Sequence, residues 1–180
     1  MKIHIVLGDI TRIKADVIVN ASGKHFGSAI GSGVDGAIFN KAGPELQKEA
    51  REVMSKQCPN GLEVGQVVIT KGYNLPAKFI IHTVGPRVYC EDFNKLKDCY
   101  INSLKLAETN NCKSIAFPAI STGAYGCSIE RSAEIVKEVL DNFRSNIIKK
   151  IILVLWTKED YNVYIKNNSS EFPLTSNKKF

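Results

Sequence analysis

Residues 16–38, DVIVNASGKHFGSAIGSGVDGAI, decide how this chain is read. A short β-branched strand (Val17, Ile18, Val19) runs into Asn20. A loop carrying Gly23, Gly27, Gly31 and Gly33 follows and closes on Val34-Asp35-Gly36 and the apolar start of a helix at Ala37 and Ile38. Strand, glycine-rich loop and helix N-terminus in that order make an anion cradle. Glycine lets the backbone approach a ligand closely, and the helix end presents N–H groups without intrahelical acceptors. A second loop of this kind, Ser121-Thr122-Gly123-Ala124-Tyr125-Gly126, follows the apolar stretch Phe117-Pro118-Ala119-Ile120. Two such loops imply a ligand with two phosphates. The chain has no G-x-x-x-x-G-K-[ST] and no G-x-G-x-x-G in a first βαβ unit, which excludes the P-loop and the ordinary dinucleotide fold.

Working outward, strand and helix signals alternate. Ile3, Ile5 and Leu7 alternate with other residues before Gly8, predicting a first strand. Val34 to Met54 reads as helix broken near Ala42-Gly43-Pro44, with Pro44 suited to a first helical turn. Val67 to Thr70 and Lys78 to Thr83 read as strands about the turn signal Tyr73-Asn74-Leu75-Pro76. Leu96, Tyr100, Leu104 and Ala107 recur at helical spacing within Asn94–Thr109. Ser114 to Phe117 is a short buried strand. Ser128 and Glu130 open a helix running through Ile135, Val139 and Phe143. Ile151 to Trp156 is a central strand, and Glu159 to Ile165 the last helix. The alternation predicts a three-layer α/β/α sandwich, with ligands at the carboxyl ends of the strands.

A chain of 180 residues fits one domain, taken as 1–168 with a polar, flexible tail over 169–180. No apolar run approaches the ~20 residues of a membrane span or the pattern of a signal peptide, so the expected location is cytoplasmic, or nuclear in a eukaryote. The five cysteines (Cys58, Cys90, Cys99, Cys112, Cys127) are scattered, without metal-ligand spacing, and read as free thiols. A net charge of +6 suits an anionic partner, and nucleic acid is one candidate. The lysines are spread along the chain, however, with only modest pairs such as Lys149-Lys150.

Taken together, the motifs resemble the macrodomain family, which binds ADP-ribose. The resemblance covers about residues 2–166. It rests on Gly8-Asp9-Ile10-Thr11, Val17-Ile18-Val19-Asn20-Ala21, Gly33-Val34-Asp35-Gly36-Ala37-Ile38, the stretch Leu75 to Pro86 (LPAKFIIHTVGP), and Ile120 to Gly126, in this order. The nearest flavour is the MacroD-type subgroup, which includes hydrolases that remove single ADP-ribose units from acidic side chains. The resemblance implies a mixed central sheet and a role for each matching position. Asp9 would accept from the adenine amino group and the Ile10 N–H would serve a ring nitrogen, beside Gly8. Trp156 would stack on adenine. The stretches from Gly31 through Gly33, Val34 and Gly36, and from Ser121 through Thr122, Gly123, Ala124 and Tyr125 to Gly126, would clasp the diphosphate. Tyr125 would also pack beside the distal ribose. Asn20 and Ala21 would shape the ribose pocket. Asp35, helped by Asn20, would act on the attacking water.

The chain departs from the subgroup at both glycine loops: past the second the usual Tyr-Pro reads Cys127-Ser128, and the first differs more. The usual Asn-Ala-Ala-Asn reads Asn20-Ala21-Ser22-Gly23, so the second amide is missing, and the loop to Gly33 is about two residues longer. Ser22, Lys24 and His25 are candidate substitutes. His82, inside an apolar strand, reads as a core residue. The resulting expectation is a monomer that binds ADP-ribose and mono-ADP-ribosylated protein and removes the modification by hydrolysis, without a metal or redox cofactor. A non-catalytic reader, and a basic binder of nucleic acid or poly(ADP-ribose), are the alternatives.

Overall fold

The computed structural model describes residues 1–26, 32–89 and 91–168. The expected tail 169–180, Cys90 and the loop residues 27–31, including Gly27 and Gly31, lie outside the described residues.

Six strands form one mixed sheet: β1 (Lys2–Leu7), β2 (Ala15–Ala21), β3 (Val67–Lys71), β4 (Ala77–Thr83), β5 (Ser114–Pro118) and β6 (Lys150–Leu155), in the order β1-β6-β5-β2-β4-β3. Every neighbouring pair is parallel except β3 with β4. Five strands therefore end on one edge, and every loop that leaves those ends is gathered there. Strand β2 lies between β5 and β4, and Val17, Ile18, Val19 and Asn20 are all fully buried. That explains a β-branched run without a polar face.

Helices α1 (Gly33–Ala42) and α2 (Pro44–Gln57) cover one face. Ile38, Ala42 and Leu46 pack there on Ile18, Ile80 and Ile152. Helices α3 (Leu96–Thr109), α4 (Ile129–Asn142) and α5 (Lys158–Asn168) cover the other face, where Leu104, Val136 and Tyr164 share a core with Val17, Val19 and Ile151. The layers are the α/β/α sandwich that the alternation implies. The α1–α2 break follows its signals: Gly43, at φ 94°, caps α1 through its N–H to the Phe39 carbonyl (3.1 Å), and Pro44 starts α2. Ser128 caps α4 by accepting from the Arg131 N–H at 3.2 Å.

Three boundaries differ from the sequence expectation. A 3-10 turn over Phe93–Lys95 precedes α3, because Asp92 accepts from the Asn94 N–H and tightens the entry. Phe143 lies just past α4 as its extended cap, although the apolar spacing continues to it. Trp156 falls beyond β6 and is 75% exposed rather than part of the buried strand.

One core tyrosine sets the height of the loop after β5. Tyr100 of α3 is 1% exposed; its hydroxyl donates to the Pro118 carbonyl (3.3 Å) and accepts from the Ile120 N–H (3.2 Å). The ring packs on Phe117 at 5.0 Å between centroids. Tyr100→Phe removes both of these hydrogen bonds and leaves the Ile120 N–H without its phenol partner, so it should cost about 1–3 kcal/mol in urea unfolding. The same variant should speed amide exchange at Ile120; unchanged stability and exchange would show that the phenol does not hold this loop.

Candidate functional site

Two concavities lie along the carboxyl edge of the sheet. The first, about 380 Å³, sits over the ends of β1 and β6 and is lined by Leu7, Gly8, Asp9, Arg12, Trp156 and Lys158. The second, about 330 Å³, sits over β2 and β5. Its walls come from Ala21–Gly23 and His25, the start of α1, and the loop after β5. The strand order puts the two about two strand spacings apart, roughly 10 Å.

In the first cleft, Asp9 closes a short 3-10 turn (Ile10–Arg12). Its Oδ1 accepts from the Thr11 N–H (2.9 Å) and the Thr11 hydroxyl (2.8 Å). Its Oδ2 lies 3.7 Å from Arg12 Nε. The carboxylate is thus held in place while part of it still faces the cleft. The Ile10 side chain is buried, and Gly8 is tied by its N–H to the Leu155 carbonyl (2.9 Å). Trp156 presents a largely exposed ring on the opposite lip.

The second cavity holds the donors. Ser121, at φ 69°, takes a backbone conformation that few side-chain-bearing residues adopt, and Gly126 follows at φ 76°. The loop is closed by the Cys127 N–H to the Ser121 carbonyl and the Gly126 N–H to the Gly123 carbonyl, both 2.9 Å. The Thr122 hydroxyl donates to the Ala119 carbonyl (2.9 Å). Among the described residues, the N–H groups of Thr122, Gly123, Ala124 and Tyr125 make no hydrogen bond. Four successive free amides form a nest for an anion. Facing them, Gly33 and Val34 open α1, where first-turn N–H groups also lack acceptors. Gly36 and Gly126 shape these loops rather than offer donors, since their own N–H groups are already used, that of Gly36 by the Ser32 carbonyl at 3.3 Å. Gly85 packs so close that an added Cβ would come within 2.1 Å of the Ser121 hydroxyl oxygen, so only glycine fits beneath the loop.

Asp35, in the first turn of α1, also lines this cavity. Its Oδ1 accepts from Asn20 Nδ2 at 2.6 Å. Burial raises the Asp35 pKa above the ordinary carboxylate value, and the Asn20 hydrogen bond opposes part of that rise. A half-buried carboxylate with one oxygen pinned and a raised pKa is suited to accept a proton from water. Asn20 itself is fully buried and is not among the residues that line the cavity; it reaches the site through its hydrogen bond to Asp35. Its Oδ1 and the Ser121 hydroxyl are the buried side-chain polar atoms without partners among the described residues.

The three candidate substitutes for the missing amide separate clearly. Ser22 donates its hydroxyl back to the Thr83 carbonyl (3.3 Å), and Lys24 pairs with Glu63 at 2.9 Å. Ser22 and His25 line the cavity beside Gly23, and of the two His25 is the one whose side chain is not turned back onto the β4 backbone. Tyr125 lines it as well, its ring covered by the Arg87 guanidinium at 4.8 Å. His82 was legible as core but not as a partner of the site. It pairs with Asn20 in the β2–β4 register and lies 3.1 Å from Asn20 Nδ2. A polar residue at the matching end of each apolar strand was the available signal. Among the described residues no group of three His, Cys, Asp or Glu side chains could hold a metal, and no helix is long and apolar enough to cross a membrane.

Comparison with known proteins agrees with this geometry. The family model for the Macro domain matches residues 19–136. A protein of Escherichia fergusonii named O-acetyl-ADP-ribose deacetylase is 44% identical over 170 residues, covering 91% of this chain and 93% of that protein. The mouse ADP-ribose glycohydrolase MACROD2 is 41% identical over 98% of this chain, which spans only 37% of that longer protein. Among solved structures, an Oceanobacillus iheyensis macrodomain with ADP superposes with a TM-score of 0.87 at 39% identity, covering 92% of this chain and 88% of that one. A Trypanosoma brucei macrodomain in complex with ADP gives 0.81 at 34% identity, covering 92% and 68%.

The Asp35 environment predicts a stability effect whose sign is fixed. A carboxylate whose folded pKa is raised binds its proton more tightly when folded, so its contribution to stability falls as pH rises from the unfolded pKa through the folded one. Asp35→Asn keeps an oxygen for Asn20 and removes the buried charge. It should melt at or above the wild-type temperature at pH 7, with the advantage disappearing toward pH 3–4 (roughly the unfolded aspartate pKa). A lower melting temperature at pH 7 would contradict this.

Proposed function

Because the chain belongs to the macrodomain family, we propose that it binds ADP-ribose along its sheet edge and hydrolyses single ADP-ribose units from acidic side chains of proteins. Adenine would lie on Trp156 with its amino group toward Asp9. The diphosphate would sit between the α1 N-terminus and the free amides of Thr122–Tyr125, and the distal ribose beside Asp35, Gly23 and Tyr125. Water attacks the anomeric carbon of that ribose, the bond to the side-chain carboxylate breaks, and the carboxylate departs with its electron pair. Asp35 takes the proton released by the water. Relatives named for deacetylation and for glycohydrolysis both cleave at an ADP-ribose unit, which supports this class of chemistry.

The observation that carries the reading is the Asp35 carboxylate, pinned by Asn20, in the same cavity as a nest of free amides. Gly23 supports the rival reading of a binder without turnover, since it offers the ribose no side chain. Among the described residues there is room for one: a Cβ at Gly23 would meet the Tyr125 hydroxyl alone, at 3.9 Å.

Titration calorimetry should give a Kd for free ADP-ribose in the micromolar range, about −8 kcal/mol. Trp156→Ala should weaken binding by about 1 kcal/mol or more through lost stacking. Asp9→Asn, which keeps an acceptor for Thr11, should weaken it by about 1–3 kcal/mol by turning a donor toward the adenine amino group. Binding that ignores both changes would remove adenine from this cleft.

With a protein carrying one ADP-ribose on glutamate, Asp35→Ala should slow release by about 100-fold or more while retaining most of the affinity. Gly23→Asn should speed it. Equal release by wild type and Asp35→Ala, at the background rate, would leave a binder rather than a hydrolase. Steep loss of nucleic-acid binding with added salt would instead favour a polyanion partner.

A further inference from the structure

The Asn20 amide nitrogen stands between two acceptors. It lies 2.6 Å from Asp35 Oδ1 and 3.1 Å from His82 Nδ1, while His82 Nε2 lies 2.9 Å from the Thr70 hydroxyl. An amide nitrogen carries two hydrogens and accepts nothing. Both contacts are satisfied together only if His82 Nδ1 is a bare lone pair, which puts the imidazole proton on Nε2, facing Thr70. We propose that His82 is a positioning residue for Asp35: as the neutral Nε2–H tautomer, it keeps the Asn20 amide turned so that nitrogen, not oxygen, meets the carboxylate.

The alternative arrangement is expensive. A proton on Nδ1 would face the amide hydrogens. Turning the amide over to relieve that clash would set its oxygen 2.6 Å from Asp35 Oδ1, two acceptors in contact in a buried setting. The ring has no freedom to escape. His82 is fully buried on β4, stacked on Phe26 at 4.6 Å with 19° between planes and tilted against Phe39 at 5.9 Å. Its hydrogen-bond partners, Asn20 and Thr70, are neutral. Burial alone pushes its pKa down to about 3, so the ring stays neutral wherever the protein is folded near neutrality. The titratable groups that share the Asp35 cavity are His25 and Tyr125. Phe26 belongs to the stretch leaving β2, so the ring that sets the amide also anchors the wall of the cavity.

The consequence for catalysis rests on the reading of Asp35 as the proton acceptor, but the positioning itself is observable without turnover. With the full chain labelled on histidine nitrogens, the three-histidine NMR spectrum should show His82 bare on Nδ1 and protonated on Nε2 from pH 5 to 8. Thr70→Val, which keeps the side-chain shape and removes the acceptor, should mix the tautomers. It should also raise the Asp35 carboxyl midpoint, followed by carbon NMR, by about 0.5–1 pH unit. His82→Leu should raise it further, and His82→Gln, whose amide oxygen can accept from Asn20, should bring it back toward wild type. In turnover the acid limb of kcat should move with these midpoints at unchanged KM, each unit cutting the rate below the midpoint about tenfold. Protonated Nδ1 in the wild type would overturn the proposal, as would Asp35 midpoints that ignore both Thr70→Val and His82→Leu. Absent turnover with the NMR pattern as described would defeat the hydrolase reading and leave the positioning intact.

Discussion

A fully buried amide at the end of a fully buried strand is the constraint on which the site depends. Asn20 has no access to water, so its hydrogen-bonding groups must be met by neighbours in the folded chain. Its nitrogen is met by Asp35 from the helix face and His82 from the adjacent strand. Those two bonds tie α1 and β4 to β2 at one point, at the height where the ligand cavity begins. The cost is an amide oxygen with no partner among the described residues. Such a residue is retained at a site for the geometry it imposes, since an apolar residue would satisfy the core more cheaply.

The rest of the site follows from strand direction. Parallel β1, β6, β5 and β2 finish on one edge, and each finish delivers a different element: the Asp9 turn, Trp156, the amide nest and the Asn20 support. Charge is kept out of the second cavity apart from Asp35. The anion-binding capacity there is made of backbone N–H groups and a helix end, whose partial charges need no counter-ion and no long side chain to be ordered. The basic side chains are elsewhere, and exposed ion pairs such as Lys24–Glu63 and Arg131–Glu134 cancel charge and contribute little to stability. A net charge of +6 is thus a property of the surface rather than of the pocket.

Most of the layered architecture was legible because buried parallel strands are written as unbroken β-branched runs and the helices as spaced apolar residues. The antiparallel β3 was not, since Val67–Thr70 looks the same in either direction. Phe143 misled because an apolar residue at helical spacing can pack onto the core from an extended cap. Trp156 misled about burial for the opposite reason: an aromatic ending an apolar run looks like core until the strand stops one residue earlier. In the site, the two glycine loops, Asp9 and Asp35 were readable as motifs. Gly31 falls outside the described residues. The linkage of Thr70, His82 and Asn20 was not readable, because it depends on register across three strands, which no local pattern carries.

The exposed ring at the lip of the first cleft has an optical consequence. Trp156 is the only tryptophan in 180 residues, so all of the tryptophan emission, excited selectively at the red edge where tyrosine does not absorb, comes from one spot in the first cleft. Its solvent exposure sets a red-shifted starting spectrum that a stacked purine would quench. Occupancy of that end can then be followed in an unlabelled protein, while events at the far cavity, roughly 10 Å away along the sheet edge, leave that signal unchanged. If the base stacks there as proposed, its arrival can be timed separately from whatever happens to the sugar.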